Sequence, residues 1–101
     1  MATASHDNIS PLITKSPEVR DGRPVIAGTG MMVRTLAGLY IEGATPEEIA
    51  ERKYLTLAQV YAALAYYRAN RSEIENDMTA YDREYESLEM EWRKTHLEES
   101  A

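Results

Sequence analysis

Few side chains in this 101-residue sequence have the type and spacing to do bond-making chemistry. There is no cysteine, which removes thiolate nucleophiles, disulfides and thiolate metal sites together. The two histidines, His6 and His96, stand near the two ends, and neither has a metal-ligand neighbour at helical spacing. A Ser/His/Asp arrangement needs a buried, oriented histidine, and neither of these meets that need. Gly28-Thr29-Gly30-Met31-Met32-Val33 follows a candidate strand and precedes a candidate helix, the setting of a phosphate-binding turn. It lacks a third glycine and a surrounding βαβ unit, so it reads as a turn into a helix. Carboxylates are plentiful near the C-terminus, but they read as a solvated acidic face. The expectation is a protein that is not an enzyme, with no catalytic residues, no metal and no cofactor.

The remaining chemistry is that of recognition. A short helix, a tight turn at Tyr54-Leu55-Thr56 and a longer helix have the order of a helix-turn-helix, whose last helix presents its N-terminal residues to a DNA groove. Those residues would be Thr56, Ala58, Gln59, Tyr61 and Ala62. Glutamine can read adenine, and Arg52 and Lys53 precede the turn where a phosphate contact would help. Arg34 and Arg68 are further candidates. The same three helices also describe a small bundle with no DNA role. Residues 1–70 carry seven Lys/Arg and seven Asp/Glu, net zero, which argues against tight unaided binding to DNA.

The C-terminal third offers a different surface. Ile74, Met78, Tyr81, Tyr85, Leu88 and Trp92 are spaced 4, 3, 4, 3, 4 and fall on one stripe of a helix. Residues 71–101 hold four Lys/Arg against ten Asp/Glu, and 4 − 10 = −6 is the whole net charge of the chain. The stripe can be covered by the head, by a second copy as a coiled coil, or by a groove in another protein. Tyr81, Tyr85 and Trp92 are unusual in a coiled-coil seam and common as interface anchors. Acidic flanks would favour a basic partner and would be repelled by an anionic membrane.

The elements that must position these residues are legible from local signals. Met1 to Pro11 is small and polar and is expected to be disordered. Leu12–Lys15 and Pro24–Ala27 read as short strands flanking an Asp21-Gly22 turn, a hairpin too small to stand alone. Val33 to Glu42 reads as a helix stopped by Gly43. Thr45-Pro46-Glu47-Glu48 is a capping box with proline at the first helical position. Thr56-Leu57-Ala58-Gln59 repeats the box and starts a helix running to about Asn70. The apolar register of Leu57, Val60, Leu64 and Tyr67 continues through Arg71 to Ile74, so one helix of about 40 residues and a break near Asn70–Ser72 both remain open. Met1 to Ser10 has no apolar run or basic flank and is not expected to be a signal peptide, no stretch approaches roughly 20 apolar residues, and the expectation is a cytoplasmic protein.

Ile13-Thr14-Lys15-Ser16-Pro17, Gly22-Arg23-Pro24-Val25-Ile26-Ala27-Gly28-Thr29, Pro46-Glu47-Glu48-Ile49 and Leu55-Thr56-Leu57-Ala58-Gln59-Val60-Tyr61-Ala62-Ala63-Leu64-Ala65-Tyr66-Tyr67 resemble the bacterial domain of unknown function 433 family. The resemblance spans about residues 12–72. Many members read Arg-Ile-Pro-Val where this chain has Gly30-Met31-Met32-Val33. The resemblance implies a homeodomain-like or winged trihelical fold, often dimeric. It also implies kinship with VapB-type antitoxins, which pair a DNA-binding head with a tail that wraps a PIN-like ribonuclease toxin.

The expected protein is therefore mainly α: a disordered N-terminus (1–11), a helix-turn-helix head with an N-terminal hairpin (12–72) and an acidic amphipathic helix (73–101). It would be a homodimer or higher homo-oligomer, with operator DNA and a protein toxin as partners. The DNA contacts would be Arg52, Lys53, Thr56, Gln59 and Tyr61. The partner contacts would be Ile74, Met78, Tyr81, Tyr85, Leu88 and Trp92. The alternative is a stand-alone oligomer joined by a C-terminal coiled coil, with no DNA.

Overall fold

The computed structural model describes residues 12–100, with side chains through residue 96. The expected disorder of residues 1–11, and His6 with it, lies outside the described residues. Strands β1 (Ile13–Thr14) and β2 (Val25–Ile26) pair antiparallel, Ile13 opposite Ile26 and Thr14 opposite Val25. Asp21-Gly22 does turn the chain, through three successive left-handed residues, Arg20, Asp21 and Gly22.

Val25 also bridges to Met32, so β2 is flanked on both sides. The Gly28-Thr29-Gly30 turn between them is held by its own hydroxyl. Thr29 Oγ1 donates to the Ile26 carbonyl at 2.8 Å and accepts from Met31 N at 2.9 Å. Both glycines have positive φ, 80° and 70°, which a side chain would strain. The Thr29 hydroxyl thus holds the turn that leads into the helix beginning at Val33.

Four helices follow: α1 (Val33–Ile41), α2 (Pro46–Lys53), α3 (Leu57–Ala69) and α4 (Arg71–Ser100). The two capping boxes form as read. Thr45 Oγ1 accepts from Glu48 N while Glu48 Oε1 accepts from Thr45 N, and Thr56 and Gln59 repeat the exchange. Each such cap contributes about 1 kcal/mol. The backbone hydrogen bond to Thr45 also holds the Glu48 carboxyl below its ordinary pKa.

The core joins Ile26 of the hairpin, Val33, Leu36 and Ala37 of α1, Ile49 of α2, Val60, Ala63, Leu64 and Tyr67 of α3, and Ile74 of α4. The chain does break after α3, at one residue. Asn70 (φ −132°, ψ 46°) leaves the helical region; its backbone N–H and its Nδ2 both donate to the Tyr66 carbonyl, and its own carbonyl accepts from Ile74 N. Asn70 thus closes one helix and opens the next. The bend turns Ile74 into the core, fully buried. The packed unit therefore runs through the expected boundary at residue 72. Beyond it α4 projects, and the molecule measures 68 × 29 × 23 Å.

Candidate binding surfaces

The first surface is the edge where α2 meets α3. Arg52 and Lys53 end α2, and the chain then reverses through Tyr54 at φ 57°, ψ 45°. A left-handed conformation costs a tyrosine about 1–2 kcal/mol, and the ring recovers nothing from the fold, being 95% exposed. Tyr61 is half-exposed one turn into α3 and lines a shallow cleft with Tyr40, Leu64 and Arg68. The sequence places Tyr54 in the turn but not among the expected contacts, because its neighbours look like ordinary turn residues. The available signal was a non-glycine residue between one helix end and the next capping box.

Two expected DNA contacts are already engaged. Gln59 Oε1 accepts from Thr56 N at 2.8 Å and Thr56 Oγ1 accepts from Gln59 N at 3.1 Å. Two-pronged contact with adenine needs the glutamine oxygen and nitrogen together, so it would require the cap to open. Arg34 is not on this edge. It lies beneath α4, 12% exposed, with Nη1 3.2 Å from Asp77 Oδ1 and its guanidinium 4.2 Å from the centre of the Tyr81 ring. Arg68 is exposed.

The second surface is α4, which divides into a root and an outer half. Three polar attachments hold the root. Asp77 Oδ1 accepts from Arg23 Nε at 2.7 Å and from Arg34 Nη1 at 3.2 Å, in a half-buried site. Glu73 accepts from Lys15 Nζ and from the Tyr66 hydroxyl, both at 2.8 Å. Tyr67 donates its hydroxyl to Glu75 at 2.9 Å, with Arg71 over its ring. The Lys15 hydrogen bond holds the Glu73 carboxyl below its usual range, and the same contact raises Lys15. Burial, then Glu73, raises the Tyr66 phenol.

The stripe divides at the same place. Ile74 is fully buried and Met78 packs against the core, so Ile74 has no surface to offer a partner. Tyr81, Tyr85, Leu88 and Trp92 are 48%, 56%, 59% and 60% exposed. Tyr81 and Tyr85 sit ring to ring at 6.4 Å, and Trp92 stacks on His96 at 3.8 Å. At the foot of this exposed stretch Met78 and Tyr81 also line a cleft of about 390 Å³ against Met32, Thr35, Gly38 and Ile41 of the head. Gly38 is inside a helix, and the space its side chain would fill is open.

Among the described residues no helix is long and apolar enough to cross a membrane, and no group of three or more His, Asp or Glu is placed to hold a metal ion. A family model described as "Protein of unknown function (DUF433)" matches residues 13–67, more than half the chain. The fold is similar to the crystal structure of a DUF433 member protein from Anabaena variabilis ATCC 29413. That likeness has a TM-score of 0.65 and 26% identity, over 77% of this chain and 78% of that one. Since 77% of 101 residues exceeds the 70 that precede α4, it takes in part of that helix. No curated protein matches the sequence.

Proposed function

The chain belongs to the DUF433 family of proteins of unknown function, and on that premise we propose that it is a non-catalytic binding protein organised like an antitoxin. The head sits on DNA through the α2–α3 edge, and the outer half of α4 captures a basic protein, a PIN-like ribonuclease in the antitoxin reading. The observation that carries this is the uncovered run Tyr81, Tyr85, Leu88 and Trp92 on a helix whose root is anchored. An apolar run of this kind, on a rigid support and rimmed by charge, is the usual form of a protein-docking surface. On the head, Arg52, Lys53, Tyr54 and Tyr61 support the DNA reading, with Thr56 and Gln59 building the turn.

Co-expression with the product of the adjacent open reading frame, followed by pull-down, tests capture. Tyr85→Ala with Trp92→Ala should abolish it; intact capture would reject the tail assignment. A gel-shift series against the gene's own promoter tests the head. Binding should weaken as salt rises and with Arg52→Ala and Lys53→Ala together. The second reading, a coiled-coil oligomer, rests on the 4-3-4 spacing of the exposed run. The mass of the full chain in solution, with and without the Tyr85 and Trp92 substitutions, separates the two.

A further inference from the structure

The exposed run has coiled-coil spacing, so its flanking positions specify what can pair with it. With Ile74, Tyr81 and Leu88 at d, and Met78, Tyr85 and Trp92 at a, the e positions of the exposed stretch are Asp82, Glu89 and His96. The g positions are Glu84 and Glu91. Four of five are acidic. The three basic residues of that stretch, Arg83, Arg93 and Lys94, fall at f, b and c, on the back of the helix. Net charge alone does not require this segregation; it appears only once the seam is located on the helix.

A second copy is the wrong partner for such a seam. Parallel pairing sets g against e of the other helix, placing Glu84 opposite Glu89. Antiparallel pairing sets e against e and g against g, placing Asp82 and Glu89 together and Glu84 with Glu91. Either way carboxylates face carboxylates across an apolar seam, which is repulsive and is how natural coiled coils reject a pairing. The back-face cations are too far round to relieve it, and Arg93 already reaches Glu89 along its own helix at 3.3 Å.

We propose that the outer half of α4 is one strand of a heterotypic helix pair. Its occupant is an amphipathic helix of another protein, with lysine or arginine at both positions flanking an apolar seam. This deepens the capture reading above and rests on it. The bulky Tyr81, Tyr85 and Trp92 call for small or aliphatic residues opposite. The cleft at the foot of the run, lined by Gly38 and Ile41 and rimmed by Arg34, Glu42 and Asp82, adjoins the apolar surface of Met78 and Tyr81. Glu84 lies within the field of Arg23 and Asp82 lines the cleft that Arg34 also lines, so the selection rests most cleanly on Glu89 and Glu91.

Two synthetic helices with the same Leu/Ala seam, one with lysine and one with glutamate at every e and g position, test this on the full chain. Trp92 fluorescence reports binding at the seam. The lysine-flanked helix should bind about tenfold or more tightly than the glutamate-flanked one. The preference should shrink as salt rises from about 0.05 M to about 0.5 M. Asp82→Lys with Glu89→Lys and Glu91→Lys should invert the preference. The milder Asp82→Asn, Glu89→Gln, Glu91→Gln set should erase it while leaving helix content unchanged. Equal binding of the two probes, binding of neither, or seam-dependent self-association that excludes the lysine helix overturns the proposal. Charge-selective binding without capture of the adjacent gene's product would instead reject the antitoxin reading and leave the heterotypic helix standing.

Discussion

The two halves of α4 carry one apolar rhythm and behave oppositely. In the root, Ile74 is fully buried, Met78 is packed on the core, and Asp77 is gripped by two arginines of the head. In the outer half, Tyr85, Leu88 and Trp92 stand more than half exposed, and Arg93 pairs with Glu89 along the helix itself. Equal spacing therefore does not mean equal role. The root belongs to the head's stability, while the outer half leaves its burial energy unspent. Fully burying each large apolar side chain there would contribute about 1.5–3 kcal/mol, which is enough to drive binding.

The sharpest way to break this contrast is to truncate matched stripe residues. Ile74→Ala should destabilise the protein by about 3 kcal/mol in urea unfolding, the cost of a cavity in a closed core. Leu88→Ala should change stability by less than about 0.5 kcal/mol. Similar losses at both sites would mean that the outer half is covered within the chain. Next in size is Asp77→Ala, which leaves Arg34 beneath α4 without its carboxylate and should cost about 2 kcal/mol. Tyr81→Leu keeps most of the apolar bulk and removes the ring from Arg34, for about 0.5–1 kcal/mol. It marks where root passes into outer half.

The smallest effect is set by pH. Glu73 is held below its usual 4.5, first by the Lys15 hydrogen bond. A depressed carboxyl adds stability that is present above the unfolded pKa and lost as pH falls through the folded one. Lys15 is raised above its usual 10.5, so its contribution is complete below that value and lost as pH rises through the folded one. Both groups are well exposed and solvent screens them. The melting temperature of Lys15→Met should therefore lie slightly below that of the parent chain between pH 4.5 and 10.5, and the two should converge only as pH falls below the first value or rises above the second.

Much of the scaffold was legible because its signals are local. A capping box needs four residues, and Thr45 with Glu48 and Thr56 with Gln59 supplied them. The family motifs lie in the same head, where the family model matches. The site was harder to read. Gln59 looked like a base reader and Thr56 a groove contact, yet the boxes that identified the helix also occupy their polar atoms. Arg34 looked like a DNA cation, and the fold turned it under α4. Tyr54 carried no pattern, because its positive φ follows from two capped helices meeting over one core.

What the sequence by itself determined is the first two helices, the start of the third, the stripe and the acidity beside it, since periodicity and capping act within a few residues of backbone. Only the tertiary structure decided where the stripe stops being core. Asn70 breaks the helix ahead of Ile74, and the position of α1 brings Arg34, Thr35 and Gly38 up to α4 as far as Tyr81. Covering a helix face is a matter of which distant segments arrive, and no spacing within the helix records that.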